Sequence, residues 1–224
     1  MWLINSSIGR KFVMSISGAF LVLFLLFHSL MNFVVVISPD GYNEICKFLG
    51  ANWYALVGTS VLAAGFVVHI LYALLLSYQN LQARGKERYA VSKNQKSVEW
   101  SSQNMLVLGI IVFGFLVLHF INFWYKMQFA ELSGIKTGAY EAWDGAAYVK
   151  ELFSQWYYCV IYIVWLVAIW FHLTHGVWSA LQTLGLNNKT WLPRVKVISN
   201  IVSTIVVLLF ITVPVYFLIT QGCF

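Results

Sequence analysis

Five histidines dominate the chemistry available to this sequence. His28, His69 and His119 each lie well inside a separate apolar segment, and His172 and His175 share a fourth, WYYCVIYIVWLVAIWFHLTHGVWSALQTLG (156–185). None of the five is in a loop. A side chain that can ionise is costly to keep at such depth and marks a functional place by default. Imidazole there can bind a metal through a neutral ring nitrogen or hand on a proton.

The elements that must position these rings follow from composition. Hydrophobic residues make up 60% of the 224 positions and charged residues 10%, which does not fit a soluble domain. The charges fall in clumps and leave five uncharged runs, 12–37, 48–83, 100–125, 152–188 and 197–224. Each is longer than the ~20 residues needed to cross a bilayer. A lone span must satisfy its own backbone hydrogen bonds, so each run is expected to be helical. The chain is therefore read as all-α, one polytopic transmembrane domain over 1–224 with helices at about 12–37, 53–78, 104–125, 156–181 and 199–220. The first run follows Arg10-Lys11 but is much longer than the ~7–15 apolar residues of a signal peptide and lacks a small-residue cleavage site, so it reads as a retained helix.

Loop charge gives orientation. Arg10, Lys11, Arg84, Lys86, Arg88, Lys93, Lys96, Lys189, Arg194 and Lys196 occupy the N-terminus and alternate loops, ten of the 14 basic residues, while the other loops hold six of the 8 acids. The positive-inside rule places the N-terminus in the cytoplasm and the C-terminus outside, as in a multi-pass protein of a cell's inner (cytoplasmic) membrane. The net charge of +6 thus reflects topology. Membrane lipid is the expected surrounding, and with no soluble basic domain nucleic acid is not an expected partner. Trp2 is placed at interface depth, and the polar 84–96 loop suits a cytoplasmic docking surface. Outside, Pro39-Asp40-Gly41 is expected to turn the chain, and the longest connection, 126–151, to include a short surface helix. Pro193 precedes the fifth helix and Pro214 is expected to kink it.

Depth sorts the histidines. The first and third helices enter from inside, and His28 and His119 come about sixteen residues in, which at ~1.5 Å per residue carries them past the midplane toward the outer face. The second and fourth enter from outside and bring His69 and His172 past the midplane toward the cytoplasm. Two levels result, roughly 10 Å apart along the normal. Two histidines per level, on different helices, is the arrangement for two stacked bis-histidine haems, whose irons take axial ligands from opposite faces. A zinc or copper site would need three or four donors at one point, and no Asp or Glu inside the spans completes one around His172 and His175. Cys46, Cys159 and Cys223 form no C-x-x-C-H motif and are too few for an iron–sulfur cluster, so the haems are expected to be of b type and any cluster to belong to a partner. Gly65, Gly114 and Gly176, with Ala73, lie four or five residues from a histidine. They either admit a flat macrocycle or serve ordinary helix packing.

These residues carry a family resemblance. The Gly-Arg-Lys lead, Phe27-His28-Ser-Leu-Met-Asn32, His69-Ile-Leu-Tyr72, Leu118-His119 and Phe171-His172-Leu-Thr-His175-Gly176-Val-Trp178-Ser179 resemble the five-helix, two-haem cytochrome b subunit of succinate:quinone oxidoreductases, the membrane anchor of succinate dehydrogenase and fumarate reductase in its single-polypeptide form. The resemblance covers nearly the whole chain, with His172-x-x-x-Gly176-x-Trp178 its most specific part. It implies a flavoprotein with FAD and a subunit with three iron–sulfur clusters on the cytoplasmic face, and electrons passing through the haems to or from menaquinone or another quinone. It implies axial ligands His69 and His172 for the proximal haem and His28 and His119 for the distal one. It favours His172 over His175, leaving His175 beside the haem, bonded to a propionate or satisfied in the core.

Such an anchor is not by itself a catalyst for the dicarboxylate. Its quinone chemistry needs a proton donor or acceptor in reach of each carbonyl, and the outer-side candidates are Asn32, Tyr42, Glu44, Trp53 and Asn122. Some members have a glutamate two residues before the fourth-helix ligand, and here Trp170 stands there, which removes that proton path. Ser15, Ser17 and Gln182 are inner-side candidates for propionates. Two other readings compete. One keeps the haems and makes the chain the anchor of a hydrogenase, formate dehydrogenase or nitrate reductase; the other is a haem-free transporter that relays protons through histidine. Direction in vivo, haem potentials and a dimer of the whole complex are left open by the residues.

Overall fold

The computed structural model of the protein describes residues 6–84 and 99–220. In chain order its helices are α1 (Ser7–Ile37), α2 (Pro39–Phe48), α3 (Trp53–Arg84), α4 (Trp100–Gln103), α5 (Met105–His119), a π-helical segment (Phe120–Phe129), α6 (Ala130–Ser133), α7 (Gly145–Phe153), α8 (Trp156–Thr183) and α9 (Trp191–Thr220). Five continuous helices are long and apolar enough to cross a membrane: Ser7–Ile37, Trp53–Ala83, Met105–Ser133, Trp156–Thr183 and Trp191–Thr220. The protein is an all-α, multi-pass bundle. Trp2, Lys86, Arg88, Lys93, Lys96 and Cys223 lie outside the described residues.

The spans run past the bounds expected from uncharged runs. The first starts at Ser7 because Ser6 caps it, its hydroxyl accepting from Gly9 N at 2.9 Å, and long basic side chains such as Arg10 and Lys11 can extend from a helix end toward water. The fifth begins at Trp191 rather than near 199. Pro193 falls in its first turn, where a missing N–H costs nothing. Pro214 lies inside the same helix, which continues to Thr220. At ~1.5 Å per residue, helices of 28 to 31 residues measure roughly 42–46 Å against a ~30 Å hydrocarbon core. Their ends therefore reach the headgroup zone.

Packing sets the cage. α9 lies along α8 and α1, α1 packs on α3 and on α8, and α5 packs on α8. Among the described residues α3 has α1 as its one substantial helical neighbour. The four histidine-bearing helices thus form a quadrilateral, α3–α1–α8–α5, whose fourth side is bridged where Gln128, in the π-helical continuation of α5, donates to Thr59 of α3 at 2.9 Å. α9, which has no histidine, braces it from behind. The core of this brace is apolar and fully buried, with Cys159, Val206 and Ser203 each 0% exposed. Gly65 belongs to the α1–α3 contact, since a Cβ there would stand 2.8 Å from two carbons of the Phe20 ring; helix packing is its role.

The acidic end of the bundle is closed by α2, α7 and the π-helical segment, and here two expectations are corrected. Pro39-Asp40-Gly41 opens a helix instead of forming a turn: Ser38 Oγ accepts from Gly41 N at 3.0 Å, with Pro39 at the first helical position, where its fixed φ suits a start. Of the helices that fall within 126–151, α6 is short and largely exposed as expected, whereas α7 is not a surface feature. In α7, Ala146, Tyr148, Val149, Leu152 and Phe153 are all buried, because its apolar face docks on α2 and the ends of α8 and α9. Asn43 ties the cap together, its Nδ2 donating to Asp144 Oδ1 (2.8 Å) and its Oδ1 accepting from Ala146 N (2.9 Å).

Candidate functional site

The histidines meet in twos across the diagonals of the cage. His28 on α1 faces His119 at the end of α5, with ring centroids 6.0 Å apart and planes at 86°. His69 on α3 faces His172 on α8 at 6.5 Å and 70°. A metal held by two imidazoles at ~2.0–2.1 Å from each nitrogen separates the ring centroids by roughly 6.3–6.5 Å, and each ring is free to turn about the common axis. The His69–His172 pair is at that spacing, and the His28–His119 pair is about 0.3 Å closer than it. Simple aromatic packing spans it too. The Nδ1 atoms of His119 and His172 are buried and have no hydrogen-bond partner, polar atoms that cost ~1–3 kcal/mol each in an apolar interior. Among the described residues no three His, Cys, Asp or Glu side chains converge; the histidines stand in twos.

Hydrogen bonding favours one tautomer of His69. Ser17 Oγ lies 3.4 Å from His69 Nδ1, and its single proton goes to Met14 O at 3.0 Å. With that proton on Met14 O, the hydroxyl oxygen is free to accept from Nδ1–H, the tautomer that keeps the Nε2 lone pair available. That is the form in which histidine binds a metal. Ser17 is thus engaged with the His69 ring, while Ser15 is buried nearby on α1 and Gln182 is half-buried near the end of α8. Gly18 completes this wall, since a Cβ there would stand 3.3 Å from His69 Cε1. A Cβ on Gly109 would come to 3.8 Å from His172 Cε1, and one on Gly114 would meet nothing within 4 Å. A Cβ on Gly176 would stand 3.5 Å from Met105 Cε, so this glycine belongs to the α8–α5 contact.

The His28–His119 pair is walled by aromatic rings. Phe24 stacks on His28 at 5.1 Å and Phe210 of α9 approaches it at 5.6 Å. Phe123, Trp165 and Tyr162 surround His119 at 5.2, 5.8 and 6.4 Å. Asn122, buried in the π-helical segment, donates to Tyr162 Oη at 3.0 Å. Asn32 donates to His28 O at 2.8 Å, reaches the His28 ring at 3.3 Å and accepts from Tyr42 Oη at 3.2 Å. Burial pushes the Tyr42 hydroxyl far above its ordinary range and the neighbouring Cys46 thiol up to about 11. Asn32, Tyr42 and Asn122 are therefore committed to the scaffold. Trp53 is 76% exposed and packs edge-on to Tyr54. Glu44 differs: paired with Lys47 at 2.6 Å, it lines a cavity of about 320 Å³ with Phe27, Met31, Ile45, Phe48 and Leu49.

His175 points elsewhere. It meets Trp178 edge-on at 4.8 Å, and its Nδ1 lies 3.9 Å from Glu99 Oε2. The spans, longer than expected, take in one carboxylate, Glu131 at the outer end of the third, and Glu99 at the edge of α4 reaches the level of His175 from outside them. Sequence reasoning missed Ser17 as a histidine partner, Gly18 and Glu99. The available signal was the position of Glu99 at the mouth of a span, an acid at the basic end. Trp170 donates to Thr204 Oγ1 of α9 at 3.0 Å and is thereby spent on helix packing.

Comparison with protein-family models, with curated proteins and with solved structures returns no match to this chain.

Proposed function

We propose that this chain is the membrane-anchor cytochrome b subunit of a succinate:quinone oxidoreductase, passing electrons between a partner iron–sulfur subunit and a quinone. The observation that carries the reading is the meeting of imidazoles across both diagonals of one cage, with buried ring nitrogens lacking partners. Two b haems supply one-electron transfer across the membrane when bound. The chain's own residues hold and tune them. His69 and His172 grip the proximal haem toward the basic end, with Ser17 fixing the His69 tautomer. His28 and His119 grip the distal haem, with Phe24, Phe210 and Trp165 keeping water from it.

The basic end faces the cytoplasm, where a flavoprotein with FAD and an iron–sulfur subunit dock and carry out the dicarboxylate chemistry. The quinone, menaquinone by family analogy, meets the chain at the acidic end. The cavity beside Phe27 and Met31 adjoins the positions of His28 and Asn32, and Glu44 is the one acid lining it that can exchange a proton with a quinone carbonyl.

A pyridine haemochrome assay with reduced-minus-oxidised spectra on the purified chain tests this. Two b haems per chain are expected, with the proximal one lost in His172→Ala and both retained in His175→Ala. A folded wild-type chain without haem, given adequate haem supply, refutes the reading and favours the proton-relay transporter. Co-purification of a hydrogenase, formate dehydrogenase or nitrate reductase in place of the flavoprotein refutes the choice of partner.

A further inference from the structure

One polar cluster at the basic end is unused by this account. Trp178 Nε1 donates to Glu99 Oε2 at 3.1 Å, and Lys196 Nζ donates to Glu99 Oε1 at 2.7 Å. Lys196 also lies 4.4 Å over the Trp178 ring, and the buried His175 Nδ1, which has no hydrogen-bond partner, is 3.9 Å from Glu99 Oε2. Donors from two spans, α8 and α9, thus converge on one carboxylate that arrives from a third segment. Glu99 is loosely held on its own side: it stands immediately before α4 without making a capping bond there, and its side chain is 41% exposed.

The cluster's position gives it a second candidate occupant. Trp178 is six residues beyond His172, about 9 Å of helix rise, a distance of the order of that from a haem's iron to the end of its propionate arm. Paired donors at a partly dry site bind a carboxylate strongly and are costly to leave unfilled. We propose that His175, Trp178 and Lys196 form a carboxylate cradle for a propionate of the proximal haem, and that Glu99 is the internal carboxylate that fills this cradle until haem displaces it. The inference rests on the haem reading above and goes beyond it by making Glu99 a competitor of the cofactor.

The competition predicts effects of opposite sign at two residues that touch each other. The full-length apoprotein, held in lipid nanodiscs, is titrated with haemin in wild type, Glu99→Gln, Lys196→Met, Lys196→Arg and Trp178→Phe, and the propionate bands are read by resonance Raman spectroscopy. Lys196→Met should weaken the proximal haem by roughly tenfold or more and shift its propionate band. Lys196→Arg should restore both, and Trp178→Phe should shift the band. Glu99→Gln should bind the proximal haem more tightly than wild type, with an unshifted band, and affinity no higher than wild type overturns the competition. The distal haem, unchanged throughout, reports an intact fold. Equal weakening in Glu99→Gln and Lys196→Met, or unshifted bands in Lys196→Met, overturns the cradle while two haems remain. A wild type that takes up no haem overturns it together with the function proposed above.

Discussion

Replacing Ser17 by Ala removes one oxygen and nothing else from the wall beside His69. Among the described residues that oxygen is the one hydrogen-bond partner of His69 Nδ1, at 3.4 Å, and it is fixed in place by its own bond to Met14 O at 3.0 Å. Ser17 is 7% exposed, so water does not readily replace it. Stranding a buried donor costs ~1–3 kcal/mol. Loss of the partner that orients a metal-binding histidine typically lowers metal affinity 10–100-fold, about 1.4–2.8 kcal/mol. The two figures agree, so the proximal haem of Ser17→Ala should bind some 10–100 times more weakly in a Soret titration of the apoprotein. Ser29→Ala is the matched control: Ser29 is 0% exposed and makes the same bond to the residue three back, Leu26 O at 2.9 Å. It should leave the proximal haem unchanged, and Ser17→Thr, which keeps a hydroxyl, should retain most of the affinity. Unaltered proximal affinity in Ser17→Ala would refute the tautomer assignment and the positioning role built on it.

Gly145→Ala should destabilise the outer cap by ~1–3 kcal/mol through overpacking, read as a lowered Tm, because its Cβ would stand 2.5 Å from Cys46 Sγ and 2.9 Å from Met127 Cε and Tyr42 Cε1. Burial raises the Glu99 carboxyl, but the hydrogen bond and charge of Lys196, with Trp178 and His175, outweigh it and hold the group below the ordinary carboxylate range. Its contribution to the Glu99 cluster is therefore complete above the ordinary value and lost as pH falls through the lowered one. Tryptophan emission should report this acid transition in wild type and not in Glu99→Gln. With its thiol pushed by burial from the ordinary 9.0 up to about 11, Cys46 should resist iodoacetamide at pH 8 and label faster toward pH 11. The same shift makes the cap lose stability as pH rises from 9.0 through about 11.

The five spans were legible because lipid imposes a severe rule: no charge and about twenty residues. Which histidines lie level with one another was legible for a similar reason, since helical rise converts sequence position into depth. Helix ends were less so. Counting uncharged residues clips a helix at Arg10-Lys11, although such side chains can extend from the helix toward water, and it treats Pro193 as a boundary when a first turn accepts proline. The π-helical segment after His119 has no mark in hydrophobic spacing, and it is where Asn122 and Phe123 are set beside Tyr162 and His119. Ser17, legible only as a propionate candidate, and Glu99 were unreadable as histidine partners because each meets a histidine far away in sequence, 52 positions in the case of Ser17 and His69. Only the packing of α3 on α1, and of α4 on α8, brings them there.

The diagonal pairing has a consequence for how the molecule could be divided. His28 and His69 precede residue 85, and His119 and His172 follow residue 98. Each facing pair draws one ring from either side of that interval. A chain cut there yields an amino-terminal piece with α1 and α3 and a carboxy-terminal piece with α5, α8 and α9, each holding half of both pairs and neither a whole one. Complementation between the two fragments and completion of the paired sites are then a single event. Expressed separately, neither piece can bring two facing imidazoles together; expressed jointly, they can do so only by reuniting.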